Sequence, residues 1–167
     1  MNREILLIAE QMKEVYEGEP WFGRNAKSLL GDVDEKIAFA KPSGQHSILE
    51  LLWHMITWKE FTISRLRPNA ANDLNYFELN DWRQLDHTDK SLLKKGLERF
   101  HQLHKELVEI TWQQKDDILF KRVEERNYDF RKLLLGVIDH DIYHLGQIAY
   151  VTKLLATSCG KEDSVIQ

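Results

Sequence analysis

The sequence HDIYHLGQI, residues 140–148, lies in the longest uninterrupted helical pattern of the chain. Side chains four positions apart on an α-helix differ in direction by about 40°, so the imidazoles of His140 and His144 lie one above the other. A buried imidazole needs a hydrogen bond, a charge or a metal ion, and one divalent ion would satisfy both rings. The stretch therefore predicts half of a metal site inside a helical core. Apolar residues follow the core-facing spacing along the same helix face, namely Leu133, Val137, Ile148, Val151 and Leu155.

The rest of the chain also indicates helices. Only three prolines and eight glycines interrupt 167 residues, and no alternating strand pattern of useful length occurs. The sequence predicts an all-α four-helix bundle with two long connections, in one domain over residues 1–167 whose end is loosely held. The predicted long helices run from Asn2 to Glu17, from Ser47 to Arg65, from Thr88 or Asp89 to the polar segment 113–126, and from Asn127 or Asp129 to about Ala156.

A third metal ligand is expected from the second long helix. This helix begins at a capping box, Ser47-Ile48-Leu49-Glu50, and its apolar face includes His54. His54 is the first candidate to join His140 and His144, and His104 of the third helix is the second. Three protein ligands with an open position form the arrangement of a catalytic zinc site. The alternative for each ring is a core histidine that is hydrogen-bonded to the backbone.

Composition excludes several classes of partner. The net charge of −4 comes from mixed acids and bases without a basic block, so no nucleic-acid partner is expected. No apolar run approaches membrane-spanning length, so no membrane partner is expected either. The single Cys159 rules out an internal disulfide and predicts a cytoplasmic location.

Large aromatic side chains occur in two connections. Trp21 and Phe22 follow the first helix, and we expect them to bury against one end of the bundle, with a pocket wall as the alternative. Tyr76, Phe77 and Trp82 lie in the connection between the second and third helices. Packing is the first interpretation of this second group, and a cover over the metal site is the other.

Three segments resemble the DinB/YfiT family of metal-binding helical proteins. Residues 47–54, SILELLWH, resemble the family's second-helix motif, which ends in the first metal-binding histidine. Residues 140–148 resemble its last-helix motif, which supplies the other two, and Trp21-Phe22-Gly23 suits the family's layout. The likeness covers nearly the whole chain. It implies an up-down-down-up bundle, often dimeric, that binds a divalent ion through His54, His140 and His144.

The resemblance also implies a range of reactions. Characterised relatives include transferases that join low-molecular-weight thiols to electrophiles and a thiol-dependent isomerase, whereas many others have no known reaction. We therefore expect a metal-dependent thiol S-transferase or hydrolase that acts on a small molecule, as a homodimer. Zinc or nickel is the expected metal, with iron, cobalt or manganese as alternatives. The other possibility is a non-enzymatic metal- or small-molecule-binding helical bundle.

Three further side chains near the predicted ligands are candidates for supporting roles. Glu50, one turn before His54, is predicted to orient that ring or to act as a catalytic base. Asp141 is predicted either to orient a ligand or to carry a solvated or interhelical charge. Gln147, one turn past His144, is predicted to fix a ligand or a helix contact.

Overall fold

The computed structural model describes residues 3–68 and 71–159, and side chains as far as residue 156. All regular secondary structure in these ranges is helical, which confirms the predicted all-α class. A single antiparallel bridge between Arg122 and Asp129 forms no strand. In chain order the elements are α1 (Glu4–Glu17), α2 (Ala26–Gly31), α3 (Glu35–Ala38), α4 (Ile48–Leu66), α5 (Leu74–Leu79), α6 (Leu92–Trp112), a 3₁₀ helix (Asp116–Phe120) and α7 (Phe130–Cys159).

The four long helices pack around one core. Helix α1 contacts α6 and α7, and α4 contacts the same two helices. The faces that meet carry fully buried apolar side chains such as Ile5 of α1, Met55 of α4 and Leu134 of α7. This burial drives the packing, because each helix alone would leave an apolar stripe in water. Side-chain pairs also join the long helices. Tyr16–His101 and Lys13–Trp112 join α1 to α6, and Glu4–Arg131 joins α1 to α7. Glu60–Arg99 joins α4 to α6, and Lys59–Asp141 joins α4 to α7.

The capping box at the start of α4 is present as predicted. The backbone N–H of Glu50 donates to the Ser47 hydroxyl at 3.2 Å, and the Ser47 N–H donates to the Glu50 carboxylate at 2.9 Å. Each bond satisfies a backbone group that the first turn of a helix leaves without an intrahelical partner. The capping box thereby sets where α4 begins, one and a half turns before His54.

Two other predicted features differ from the structure. Helix α6 begins at Leu92 and not at Thr88 or Asp89, because the Asp89 carboxylate accepts hydrogen bonds from the backbone N–H and the hydroxyl of Ser91. These bonds hold a turn in place of the first helical turn. Trp21 and Phe22 were expected to be buried, but both rings are exposed. Phe22 instead lines an open groove with Ile142 and Leu145 of α7, and local sequence does not reveal how far this loop lies from the core.

The end of the chain and the character of the helices bear on further predictions. Helix α7 continues to Cys159, three residues past the predicted end at Ala156. Residues 160–167, for which a loose end was predicted, lie outside the described ranges. Among the described residues, no helix combines the length and the apolar character needed to cross a membrane.

Candidate metal centre

The three histidines predicted as metal ligands meet between two helices. His54 lies on α4, and His140 and His144 lie one turn apart on α7. The Nε2 atoms of His54 and His140 are 2.9 Å apart, and one nitrogen of each of the three rings lies within 4.8 Å of the others. Within residues 3–68 and 71–159, this is the only group of three or more His, Cys, Asp or Glu side chains that is placed to hold a metal ion.

Hydrogen bonds fix the orientation of two of these rings. Nδ1 of His54 lies 2.8 Å from the Asp81 carboxylate, and Nδ1 of His144 lies 2.7 Å from the Gln147 amide oxygen. A carboxylate and an amide oxygen are acceptors only, so each Nδ1 carries the proton. The lone pair of each Nε2 is then available to a metal ion. Acceptors in these positions are the usual partners of metal-binding histidines.

The environment keeps all three imidazoles neutral. Burial lowers the pKa of His140 to about 3, and the neighbouring His144 and His54 act in the same direction. Burial also lowers the pKa of His54, against the opposing effect of Asp81. The pKa of His144 falls for the same reason, although its hydrogen bond to Gln147 acts in the other direction. A neutral imidazole is the form that binds a metal ion.

The arrangement fits a divalent cation. Two Nε2 lone pairs at 2.9 Å repel each other unless a proton or a cation lies between them. A proton would join only two of the three rings, whereas a cation would be bound by one nitrogen of each. Nδ1 of His140 is buried and has no hydrogen-bond partner among the described residues. Neutral nitrogen ligands suit zinc, nickel and other transition metals. Three ligands from the protein would leave at least one coordination position of such an ion for a small molecule.

One indole ring covers His54. Trp82, in the connection between α5 and α6, stacks on His54 with centroids 4.0 Å apart and the two planes within 8°. His46 stacks on the opposite face of the indole at 3.8 Å. The neighbouring Asp81 also accepts a hydrogen bond of 2.5 Å from Nε1 of Trp58, which ties the connection to α4. Trp82 is therefore part of the wall of the site, as the second interpretation of this aromatic connection anticipated.

Two other predicted candidates lie apart from the three rings. The Glu50 carboxylate accepts hydrogen bonds from Ser47 and Lys41, and these bonds outweigh burial, so the pKa of Glu50 is lowered. A lowered pKa makes a weak base, and the role of Glu50 in catalysis stays a prediction. His104 stacks on Tyr16, with centroids 3.9 Å apart, and is not in the three-histidine group.

A buried ion pair lies behind the histidines. The Lys59 ammonium of α4 donates to the Asp141 carboxylate of α7, and both side chains are buried. Asp141 is thus an interhelical charge, one of the roles predicted for it. Because Asp141 lies next to His140 in sequence, the pair also fixes how α7 is rotated against α4. No sequence pattern predicts this pair, since a lysine within an amphipathic helix is usually exposed.

Asp81 is the supporting residue that the sequence interpretation missed. It lies 27 positions from His54, in a segment without periodicity, and an aspartate in a polar connection is ordinary. Gln147 was found because it is one helical turn from the ring that it contacts. The Gln147 contact lies within one helix, so residue spacing predicts it. The Asp81 contact depends on how the connection between α5 and α6 folds back, which spacing does not predict.

These features assign the chain to a class of protein: all-α proteins in which three neutral imidazoles are placed to hold a metal ion. The family model of the DinB family matches residues 33–157, which extend from just before α3 almost to the end of α7. The chain belongs to the DinB family. Searches among curated proteins and among solved structures found no match.

Proposed function

We propose that this protein is a metal-dependent enzyme that acts on a small molecule, as a thiol S-transferase or a hydrolase. His54, His140 and His144 are its metal ligands, with zinc or nickel as the metal and iron, cobalt or manganese as alternatives. The observation that carries the proposal is the convergence of three neutral imidazoles, two of which have their outer nitrogens bound to acceptors. A structural zinc is normally closed by four protein ligands, so three support a catalytic role.

A divalent ion held by three neutral rings would lower the pKa of a water molecule or a thiol that reaches it. The residues of the chain provide the conditions for that chemistry. Asp81 and Gln147 hold the rings of His54 and His144 in fixed orientations. The Trp82 indole covers one face of His54 and excludes water from it.

In the transferase reaction, a low-molecular-weight thiol loses its proton to solvent and its sulfur attacks an electrophilic carbon of the second substrate. A carbon–sulfur bond forms, and the bond to the leaving group breaks with its electron pair. No oxidant or reductant is needed. In the hydrolase reaction, water takes the place of the thiol.

The topology and assembly of the protein complete the proposal. We propose the up-down-down-up bundle, supported by the side-chain pairs: residues 13 and 16 of α1 pair with 112 and 101 of α6, so these helices run in opposite directions. We further propose a cytoplasmic homodimer. The exposed rings of Tyr143 and Tyr150 on α7 support a dimer, and light scattering of the purified protein tests it.

Metal analysis of protein purified without a histidine tag tests the ligand assignment. We expect about one divalent ion per chain in the wild type and little in His140→Ala and His144→Ala. His87→Ala is the matched control, because His87 is exposed and lies in a connection outside the three-histidine group. Metal content that persists in both α7 variants would overturn the assignment.

The reaction is tested on the metal-loaded protein with several thiols and a small electrophile. Turnover that requires both the thiol and the metal identifies a transferase, and turnover of an ester or amide without thiol identifies a hydrolase. The metal-free protein is the control in both assays. A fully loaded protein that catalyses neither reaction supports the non-enzymatic binding module.

A further inference from the structure

A groove of about 690 Å³ runs between α4 and the first half of α7. Its walls are mainly apolar and aromatic. The α4 side contributes Trp58 and Phe61, Tyr128 closes the end before α7, and Val137 lies on the α7 side. This volume lies within the range of about 300–1,000 Å³ that small-molecule pockets occupy.

The groove borders the candidate metal centre at one of its three histidines. His140 lines it, and the same imidazole lies 2.9 Å from His54. Trp58 lines it as well, and its Nε1 donates to the Asp81 carboxylate that contacts His54. A molecule in the groove would therefore contact one candidate ligand directly.

Gly136 keeps the part of the groove next to His140 open. It lies one helical turn before His140 on the same face of α7, and it is exposed. A Cβ atom added at Gly136 would have no heavy atom within 4 Å, apart from its own helix backbone and chain neighbours. The space beside the histidine is therefore unfilled, and it exists because this position has no side chain.

Charged groups at the rim of the groove balance each other. Arg131 and Lys132 are opposed by Asp129 and Asp139, and Arg131 also pairs with Glu4 of α1. A rim without net charge does not select an anion or a cation. The aromatic walls favour a ligand with a planar or extended apolar group, through stacking and burial of apolar surface.

We propose that this groove binds the substrate of the metal centre, and that the substrate is a small uncharged molecule with an aromatic or extended apolar group. This inference rests on the proposed function and narrows it. The substrate's apolar part lies along Trp58 and Tyr128, and its reacting group lies beside His140. Gly136 is a specificity-determining residue, because a large side chain there would narrow the groove next to the reacting group.

The test uses N-phenyl-1-naphthylamine, a neutral aromatic probe that fluoresces in apolar surroundings. We expect saturable binding by the wild type at one site per chain. Gly136→Trp should weaken that binding about tenfold or more, because the indole fills the groove. Gly136→Ala is the matched control: it makes the same helix-favouring change without filling the groove, so binding should stay within about twofold of the wild type.

Three results would overturn the proposal. One is equal probe binding by wild type and Gly136→Trp, with Gly136→Leu as a second blocking variant if the tryptophan protein does not fold. Another is equal loss in Gly136→Ala and Gly136→Trp, which would mean that filling the groove is not the cause. The third is a wild-type dimer that becomes a monomer in Gly136→Trp, which would make the groove an interface between copies.

The probe assay needs no turnover, so its failure is separate from failure of the proposed function. The metal content of Gly136→Trp and Gly136→Ala should equal that of the wild type, and their melting temperatures should equal or exceed that of the wild type. If turnover of an aromatic electrophile is found, its KM should rise in Gly136→Trp while metal content stays the same. If the protein binds the probe but has no catalytic activity, the proposed enzymatic function is wrong and the proposed binding site still holds.

Discussion

Replacing Lys59 by methionine tests how the two helices of the metal centre are held together. Lys59 is only 2% exposed, and its ammonium is a hydrogen-bond donor to one oxygen of the Asp141 carboxylate. The other oxygen, Oδ1, is buried and has no hydrogen-bond partner among the described residues. Lys59→Met therefore leaves a buried carboxylate without a compensating charge.

The magnitude follows from that geometry. Removing one partner of a buried ion pair costs about 3–5 kcal/mol, because the remaining charge stays desolvated. We expect the upper part of this range for Lys59→Met, since Oδ1 of Asp141 has no donor within the described part of the chain that could compensate the loss. The double variant Lys59→Met/Asp141→Leu removes both charges and keeps similar volumes. Its stability should return to within about 1 kcal/mol of the wild type or exceed it.

Urea unfolding of the metal-free proteins at pH 7, followed by circular dichroism, measures these differences. Lys27→Met is the matched control, because Lys27 forms an exposed ion pair with Glu17 at 3.5 Å and should change stability by no more than about 0.5 kcal/mol. A loss below about 1 kcal/mol in Lys59→Met would refute the reasoning. So would a double variant that is less stable than the wild type by more than about 1 kcal/mol, because the pair would then contribute more than it costs to bury.

Asp81→Ala removes the carboxylate that lies 2.8 Å from His54 Nδ1 and leaves the Asp81 backbone carbonyl, at 3.3 Å, as an acceptor. We expect metal affinity, measured by competition with a chelating dye, to fall about 10- to 100-fold with little change in apo-protein folding. Unchanged affinity would exclude the Asp81 carboxylate as a positioning group. Gly96→Ala should lower the free energy of unfolding by about 1 kcal/mol although alanine favours helices. The reason is that the added Cβ atom would lie 2.9 Å from Cδ2 of the fully buried Leu52. A raised melting temperature would contradict this. Burial lowers the pKa of His104 in the folded protein to about 3. In the unfolded chain the pKa is about 6.5, so the unfolded chain binds a proton that the folded protein does not, and the folded protein loses stability as pH falls from about 6.5 towards about 3. Between pH 7 and 5 the wild type should lose about 2 kcal/mol more than His104→Met in urea unfolding, and parallel pH profiles would refute the shift.

The helices and the three-histidine group could be predicted from the sequence because both depend on local spacing. The capping box at Ser47 and Glu50 places the start of α4, and the helical period then places His54 on the buried face. The same period brings His140 and His144 onto one face of α7. Such patterns depend on residues within one or two helical turns, and they hold whatever the rest of the chain does.

The supports of the site could not be predicted, because they depend on contacts between distant parts of the chain. Asp81 reaches His54 only after the connection between α5 and α6 folds back on α4, and Lys59 meets Asp141 across 82 positions. Trp21 illustrates the opposite error, since an aromatic residue is usually buried and this one is exposed.

The sequence by itself determined which elements form and which imidazoles face inward, because helix periodicity and capping act over a few residues. Only the tertiary structure decided how the site is built around those imidazoles. It brought Asp81 and Trp82 to His54, placed the Lys59 charge against Asp141, and left the groove open beside Gly136. These features depend on the packing of whole helices and connections, and packing is set by shape and burial over the entire core.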